Sequence, residues 1–366
     1  MRNPWLDVCR ATAIGLVMLS HGRFFVLPLA PSLNWLKFGG FLGVELFFVL
    51  SGFLIGGIML RELGRAPDAA SWVPRFWARR WLRTLPNYLL FLAINAVLYR
   101  ALRSDWPPSG WSYITFTQNI LHAPRLFFVE SWSLAVEEAF YLITPVLVVL
   151  ACALGASRRT AVYVGATAII LFSVAFRWYA AARWNLSFND IRGGVAFRLD
   201  AIMIGVLVAV QADKAPAPTW LRRLAPWIAI FFVGAAIAAA VPDSWLDQGL
   251  AARLALFPLT SIGCAGVIMW RFTSPVREPV ASVANAMAKV SYSAYLTNLP
   301  VLSLLHLAFP QPTALGCVAL WFAYVAGTFA TATVFYRLVE KPILAWRDRR
   351  IGMDASPLPR PVQSST

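Results

Sequence analysis

Ten stretches of roughly 17–25 residues run through this sequence with almost no charge in them. They lie at approximately 8–28, 40–62, 81–102, 131–153, 160–181, 196–212, 224–241, 250–270, 287–308 and 313–337. Apolar runs of that length limit what a chain can fold into more than any motif does. Each is long enough to cross a bilayer, and lipid offers no partner to an unpaired backbone amide, so each is expected to be a helix. Composition agrees: 59% of the residues are hydrophobic and only 13% are charged, against about 25% charged in a soluble domain. Sixteen tryptophans suit a chain with many membrane–water interfaces. The expected fold is all-α, a polytopic transmembrane helix bundle of about ten spans over residues 1–350, with a disordered tail at 351–366.

The loops orient the bundle. With the N-terminus cytoplasmic, 22 of the 32 Lys and Arg residues fall on the cytoplasmic side, so both termini are expected inside a cell inner (plasma) membrane. The opening segment resembles a signal peptide in length, but Asp7, Arg10 and His21 interrupt it, and an uncleaved first span is expected. A net charge of +15 does not point to nucleic acid, because the basic residues form short clusters between apolar runs. The four cysteines are scattered through apolar stretches with no metal-ligand spacing, and no metal is expected.

Against that background the ionisable residues inside the spans stand out, since such residues are costly and are functional candidates by default. The first span reads "RATAIGLVMLSH" (10–21). On a helix, Arg10 and His21 lie about 16 Å apart and within roughly 20° of one face. They would then line one polar path, Arg10 near the cytoplasmic face and His21 halfway or further across. The second span, within "GGFLGVELFFVLSGFLIG" (39–56), holds Glu45, with Ser51 and several glycines nearby. Close helix packing accounts for Gly43, Gly52 and Gly56. "RFWARRWLRTLPNY" (75–88) carries Arg75, Arg79, Arg80 and Arg83, of which Arg75, Arg79 and Arg83 fall roughly along one helical face. Further on come "WSLAVEEAFYLITP" (132–145), "RLDAIMIG" (198–205), "SYSAYLTNLPV" (291–301) and "VEKP" (339–342).

In their order and spacing, from about residue 5 to 345, these segments resemble the acyltransferase-3 family of membrane enzymes, which includes O-antigen acetylases. The resemblance implies a bundle of about ten spans. It also implies an acyl group, acetyl by default, taken from cytoplasmic acyl-CoA and passed to a hydroxyl of a carbohydrate or other envelope component. The family's catalytic Arg-x10-His pattern falls on Arg10 and His21, and its arginines after the second span on Arg75, Arg79, Arg80 and Arg83. One position departs: the family often has histidine where this chain has Asn298. An amide can position a substrate by hydrogen bonds, which puts Asn298 among the expected acceptor contacts, but it cannot act as a base, which leaves His21 more nearly alone.

Each candidate has a functional reading and a plainer one. His21 can serve as the general base toward an alcohol, or form a transient acyl-imidazole, or simply bond two helices together. Arg10 can bind donor phosphates or anchor the helix end. Glu45 can orient His21 or pair with an arginine. The arginines at 75–83 can grip the phosphates of coenzyme A or satisfy positive-inside topology. Glu137 and Glu138, near the outer end of the fourth span, point about 100° apart, so both are not expected in one cavity. One of them can meet acceptor hydroxyls beside Trp132 as a stacking platform, or the group can be an interfacial belt. Arg198 and Asp200 can line the same entrance, or form a local charge network. Glu340 with Lys341 reads chiefly as a structural cap, and His122 and His306 as surface or interfacial residues.

The leading expectation is a multi-pass membrane O-acyltransferase with acyl-CoA, lipid and a carbohydrate acceptor as partners. The alternative is a transporter or exporter that uses the same polar path without bond chemistry.

Overall fold

The computed structural model describes residues 3–103, 105–107, 110–122, 127–184, 186–214, 249–272 and 275–352, with scattered positions between 223 and 234. The described part is all-helical. Its elements are α1 (Pro4–Val26), a 3-10 turn (Pro31–Leu36), α2 (Lys37–Arg65), α3 (Val73–Arg103), α4 (Gly110–Ile114), α5 (Ser131–Ala153) and α6 (Arg158–Arg183). There follow α7 (Phe188–Gly193), a 3-10 turn (Val195–Phe197), α8 (Leu199–Lys214), α9 (Leu250–Trp270), α10 (Glu278–Ala308) and α11 (Ala314–Phe335). A π-turn (Tyr336–Glu340) then leads into α12 (Lys341–Ile351). Helices cover nine of the ten apolar stretches; the one at 224–241 and the tail beyond Gly352 lie almost wholly outside the described residues. By length and composition alone, five helical segments among the described residues can cross a membrane: Pro31–Arg65, Val73–Arg103, Ser131–Ala153, Arg158–Arg183 and Ala314–Ile351.

Outward-facing positions are apolar, as a lipid-facing surface requires. Leu142, Val146 and Leu150 on α5, Leu171 and Phe172 on α6, and Leu315 and Phe322 on α11 are all exposed. Polar groups turn the other way. α1 starts where Asn3 accepts a hydrogen bond from the Trp5 amide at 2.9 Å and Pro4 occupies the first turn. Asn3 also donates to the Phe272 carbonyl at 2.8 Å, which fixes the start of α1 beside the end of α9.

α2 is the central helix, and glycine spaced by four residues makes it so. Toward α1, a Cβ at Gly39 would sit 2.7 Å from the Leu16 carbonyl oxygen and one at Gly43 would sit 2.5 Å from that of Ala13. Toward α8, a Cβ at Gly52 would run into the Ile202 carbonyl, and one at Gly205 into that of Val49. Backbones in contact on two faces of one helix gain van der Waals packing that lipid cannot supply.

That close approach brings four buried charges together. Glu45 on α2 pairs with Arg198, at the start of α8, and accepts from the Ser261 hydroxyl on α9 at 3.0 Å. Arg177 on α6 pairs with Asp200 on α8. All four side chains are at most 1% exposed, and both guanidinium groups lie over the Phe257 ring, at 4.2 and 5.1 Å. Removing one member of such a pair leaves a buried charge uncompensated, typically at a cost of about 3–5 kcal/mol. At the end of α11 the π-turn carries Glu340 inward, where it accepts from Ser293 at 3.0 Å and Asn87 at 3.4 Å. Glu340 therefore ties α3 and α10 to the C-terminal segment, a structural role.

Gly52→Ala is expected to destabilise the protein by about 1–3 kcal/mol through overpacking, read as a lowered Tm in detergent. Gly64→Ala, with open space at the Cβ position, is the matched control. Equal melting of the two variants would remove the α2–α8 contact as the constraint.

Candidate functional site

A cavity of about 270 Å³ lies among α1, α2, α3, α5 and α10. Its polar wall holds Arg10, Ser51, Arg80, Arg83, Glu137 and Tyr141, and its apolar wall Phe47, Phe48, Leu54, Ile55 and Ile58. Arg10 reaches it while bridged to Asp7 at 3.5 Å, one turn earlier on α1. Tyr141 donates to Glu137 at 3.0 Å. Glu138 instead accepts from Thr84 at 2.7 Å, so the adjacent carboxylates do point apart. The cavity joins three cations and one carboxylate to a long apolar face, a combination suited to a molecule with an anionic head and a thin apolar arm.

The arginine-rich segment divides differently from its spacing. Arg80 and Arg83, three residues apart, line the cavity. Arg79, which the periodicity groups with Arg83, is buried at 1% exposure and forms an ion pair with Asp348 on α12 at 3.6 Å. The Arg79 carbonyl accepts from Arg347 at 3.3 Å, and Arg75 is exposed. The docking of α12 on α3 explains the change, because it takes the Arg79 face out of the cavity's reach.

His21 stands farther along α1, about 16 Å from Arg10 by helical rise, and is not among the residues lining that cavity. It is half-buried and faces α10, where its Nδ1 lies 2.5 Å from Asn298 Oδ1. The Asn298 amide nitrogen donates to the Tyr295 carbonyl at 2.5 Å, which turns the amide oxygen toward the imidazole. An oxygen acceptor there requires the proton on Nδ1, and Nε2 is left with a free lone pair. Tyr324 on α11 adds a hydroxyl 3.5 Å from the same oxygen. The position where the family often has histidine thus orients His21, whereas the sequence alone placed Asn298 among acceptor contacts.

Tyr295 connects the two regions. Its ring lines the cavity, and its hydroxyl lies 2.7 Å from Ser133 and donates to the Glu130 carbonyl at 3.2 Å. Glu130 itself is buried, and its Oε1 has no hydrogen-bond partner among the described residues. Beside this cluster, Arg192 extends over the Trp132 ring at 5.4 Å.

Several expected residues are placed elsewhere than expected. Glu45 does not orient His21; Arg198 and Ser261 hold its carboxylate. Arg198 and Asp200 do not face an entrance, because both are fully buried in ion pairs. Trp132 is no open platform: it is 6% exposed, with Phe48 edge-on and Arg192 over its face. Glu137 lies with the cavity arginines, not with the His21 cluster. α5 explains both shifts, for it starts beside Tyr295 in the middle of α10 and carries Glu137 nearly two turns toward the Arg10 end. His306 stacks on Phe25 at 4.4 Å and bonds the Leu302 carbonyl, while His122 is exposed, as the plainer readings have it. Among the described residues no cluster of three or more His, Cys, Asp or Glu side chains could hold a metal.

A sequence profile described as an acyltransferase domain matches residues 3–337, nearly the whole chain. The chain belongs to the acyltransferase-3 family. It is 26% identical, over 95% of its length, to a Staphylococcus aureus (strain MRSA252) protein named "Putative O-acetyltransferase SAR0937", of which it covers 59%. It is 31% identical over 39% of its length to the peptidoglycan O-acetyltransferase OatA of Listeria monocytogenes, covering 23% of that protein. It is 34% identical over 42% of its length to a Bacillus subtilis protein named "Putative peptidoglycan O-acetyltransferase YrhL", covering 25% of it. The chain thus spans less than two thirds of the length of these curated relatives. No solved structure matches it significantly.

For this acyltransferase-family chain, sequence reading singled out His21 and Arg10 but passed over Arg192, Tyr295, Ser133 and Glu130. Tyr295 lies inside a quoted motif, one helical turn before Asn298, and that spacing was the available signal. Ser133 also lies inside a quoted motif, in the first turn of α5, whereas Glu130 caps that helix and Arg192 sits in the short α7, with no periodicity to mark either.

The His21 arrangement has a spectroscopic consequence. Nitrogen NMR of the imidazole should show a protonated Nδ1 and a bare Nε2 at neutral pH, and Asn298→Ala should give a mixture of tautomers. A wild-type ring protonated on Nε2 would reverse the assignment.

Proposed function

We propose that this chain is an integral membrane O-acyltransferase that moves an acyl group, acetyl by default, from cytoplasmic acyl-CoA to a hydroxyl of an envelope or exported carbohydrate. The observation that carries the reading is a single helix, α1, that presents Arg10 to a cationic cavity and, three turns on, an oriented His21 with a free ring nitrogen. Family membership and the O-acetyltransferase names of the relatives support the reaction class.

In this reading the protein is a bundle of about ten spans with both termini cytoplasmic, and the cavity opens to the cytoplasmic side. Arg80 and Arg83 grip the donor's phosphates with forked, charge-assisted hydrogen bonds. The pantetheine arm lies along the wall of Phe47, Leu54 and Ile58, and the thioester passes Tyr295 toward His21. His21 Nε2 takes the proton from the acceptor hydroxyl as its oxygen attacks the thioester carbonyl. The C–S bond then breaks, and the imidazolium returns the proton to the departing sulfur. The Asn298 amide holds the ring throughout and accepts from Nδ1–H while the ring is charged. Arg10 sits between the phosphate grip and the base, in position to hold the donor's chain.

Two measurements in proteoliposomes test this. His21→Ala is expected to abolish acceptor-dependent CoA release, a loss of at least 100-fold, while membrane insertion is kept; wild-type turnover would remove His21 from the reaction. Arg80→Gln with Arg83→Gln is expected to raise KM for acetyl-CoA about tenfold or more with a smaller effect on kcat. An unchanged KM would return those arginines to a topological role.

A further inference from the structure

The charges near His21 do not balance. Its ring lies within Coulombic range of two guanidinium groups, Arg23 and Arg192. Arg23, on the same helix, donates to the Ser20 carbonyl and lies over the Phe24 ring at 4.2 Å, as a residue near a helix end can. Arg192 is different. It forms no ion pair and no hydrogen bond among the described residues, and its Nε is buried without a partner. Glu45, the carboxylate in its range, is committed elsewhere, paired with Arg198. Glu130 acts on Tyr295 from the same chamber but makes no ion pair with Arg192.

The structure also holds Arg192 in place. α7, which carries it, opens with a reciprocal capping box between Ser187 and Asp190. Its end is held where Asn119 donates to the Gly193 carbonyl at 2.6 Å, and the Val195 amide returns to the Asn119 carbonyl at 2.9 Å. Trp132 supports the guanidinium face at 5.4 Å. A braced, half-buried cation with no counter-charge among the described residues, whose charge acts on the reacting base, is stabilised when an anion joins it. That anion also has an effect at His21: as the imidazole gains its proton, a third positive charge develops beside Arg23 and Arg192, and a bound negative group offsets it.

The geometry points to an anion subsite at Arg192, on the Trp132–Ser133–Tyr295 side of the His21 cluster, that receives a negatively charged group of the acceptor. The acceptor is therefore an acidic glycan, bearing a carboxylate or a phosphate near the hydroxyl that is acylated. The inference rests on His21 as the place of acyl transfer.

The test uses the full chain in proteoliposomes with acetyl-CoA and a total envelope-glycan extract, divided into untreated, carboxyl-reduced and dephosphorylated portions. The wild-type rate at low acceptor concentration is expected to fall at least tenfold with one of the two treated portions, and the portion affected identifies the anion. Arg192→Gln should show the same loss with the untreated extract and no further loss with the affected portion, whereas Arg192→Lys should retain most of the preference. Equal rates with all three portions, or an Arg192→Gln rate reduced by the same factor on every portion, overturns the subsite. His21→Ala separates the two readings: full activity in that variant, or no wild-type acylation of the untreated extract, is a failure of the proposed reaction rather than of the anion subsite.

Discussion

A charge turned toward hydrocarbon is costly, and this chain meets that constraint by facing its intramembrane ionisable groups inward and pairing them across helices. Glu45 with Arg198 and Arg177 with Asp200 are the centre of that arrangement, fully buried where α2, α6, α8 and α9 meet. Paired carboxylates and guanidiniums fix which helix faces which, because any other rotation of α2 or α8 would strand a charge. The glycine contacts of α2 make the pairing reachable by bringing the backbones of α1 and α8 into contact with it. Stability and arrangement thus come from the same helix.

With α2 fixed, α1 is fixed against the Gly39–Gly43 face of α2, and Arg10 and His21 are set toward the bundle interior. Their partners differ in kind. Arg10 meets a wide cavity rimmed with arginines, whereas His21 meets one amide whose own orientation is dictated by the Tyr295 carbonyl. A mobile, charged substrate can be received at the first position, and a proton moved at the second. Tyr295, with Ser133 and the Glu130 carbonyl, stands between them. Arg192 forms no ion pair among the described residues, and the proposed anion subsite is built on it.

Much of this was legible beforehand, and the reasons differ by residue. The helix spanning 131–153 was readable to its ends, because an apolar run bounded by polar residues has one stable form in lipid. Helix α3 begins at Val73, eight residues before its apolar run, since arginines are good helix formers and the basic segment continues the same hydrogen-bond ladder. The inward role of Glu45 was open between histidine and arginine. Its partner Arg198 is 153 residues away, and no local period reports such a pairing. The face shared by Arg75, Arg79 and Arg83 was a sound reading of one helix in isolation. It was overridden by α12 docking on that helix.

The sequence by itself determined that the chain is a helical membrane bundle, and that Arg10 and His21 share one inward face about 16 Å apart, because hydropathy and helical period are local properties that lipid enforces. Only the tertiary structure decided the partners. It set Asn298 against His21 from 277 residues away, gave Arg80 and Arg83 to the cavity and Arg79 to the C-terminal helix, and laid Arg192 over Trp132. Pairings of that kind depend on the order and rotation of helices in the bundle, which side-chain packing and charge neutralisation settle together.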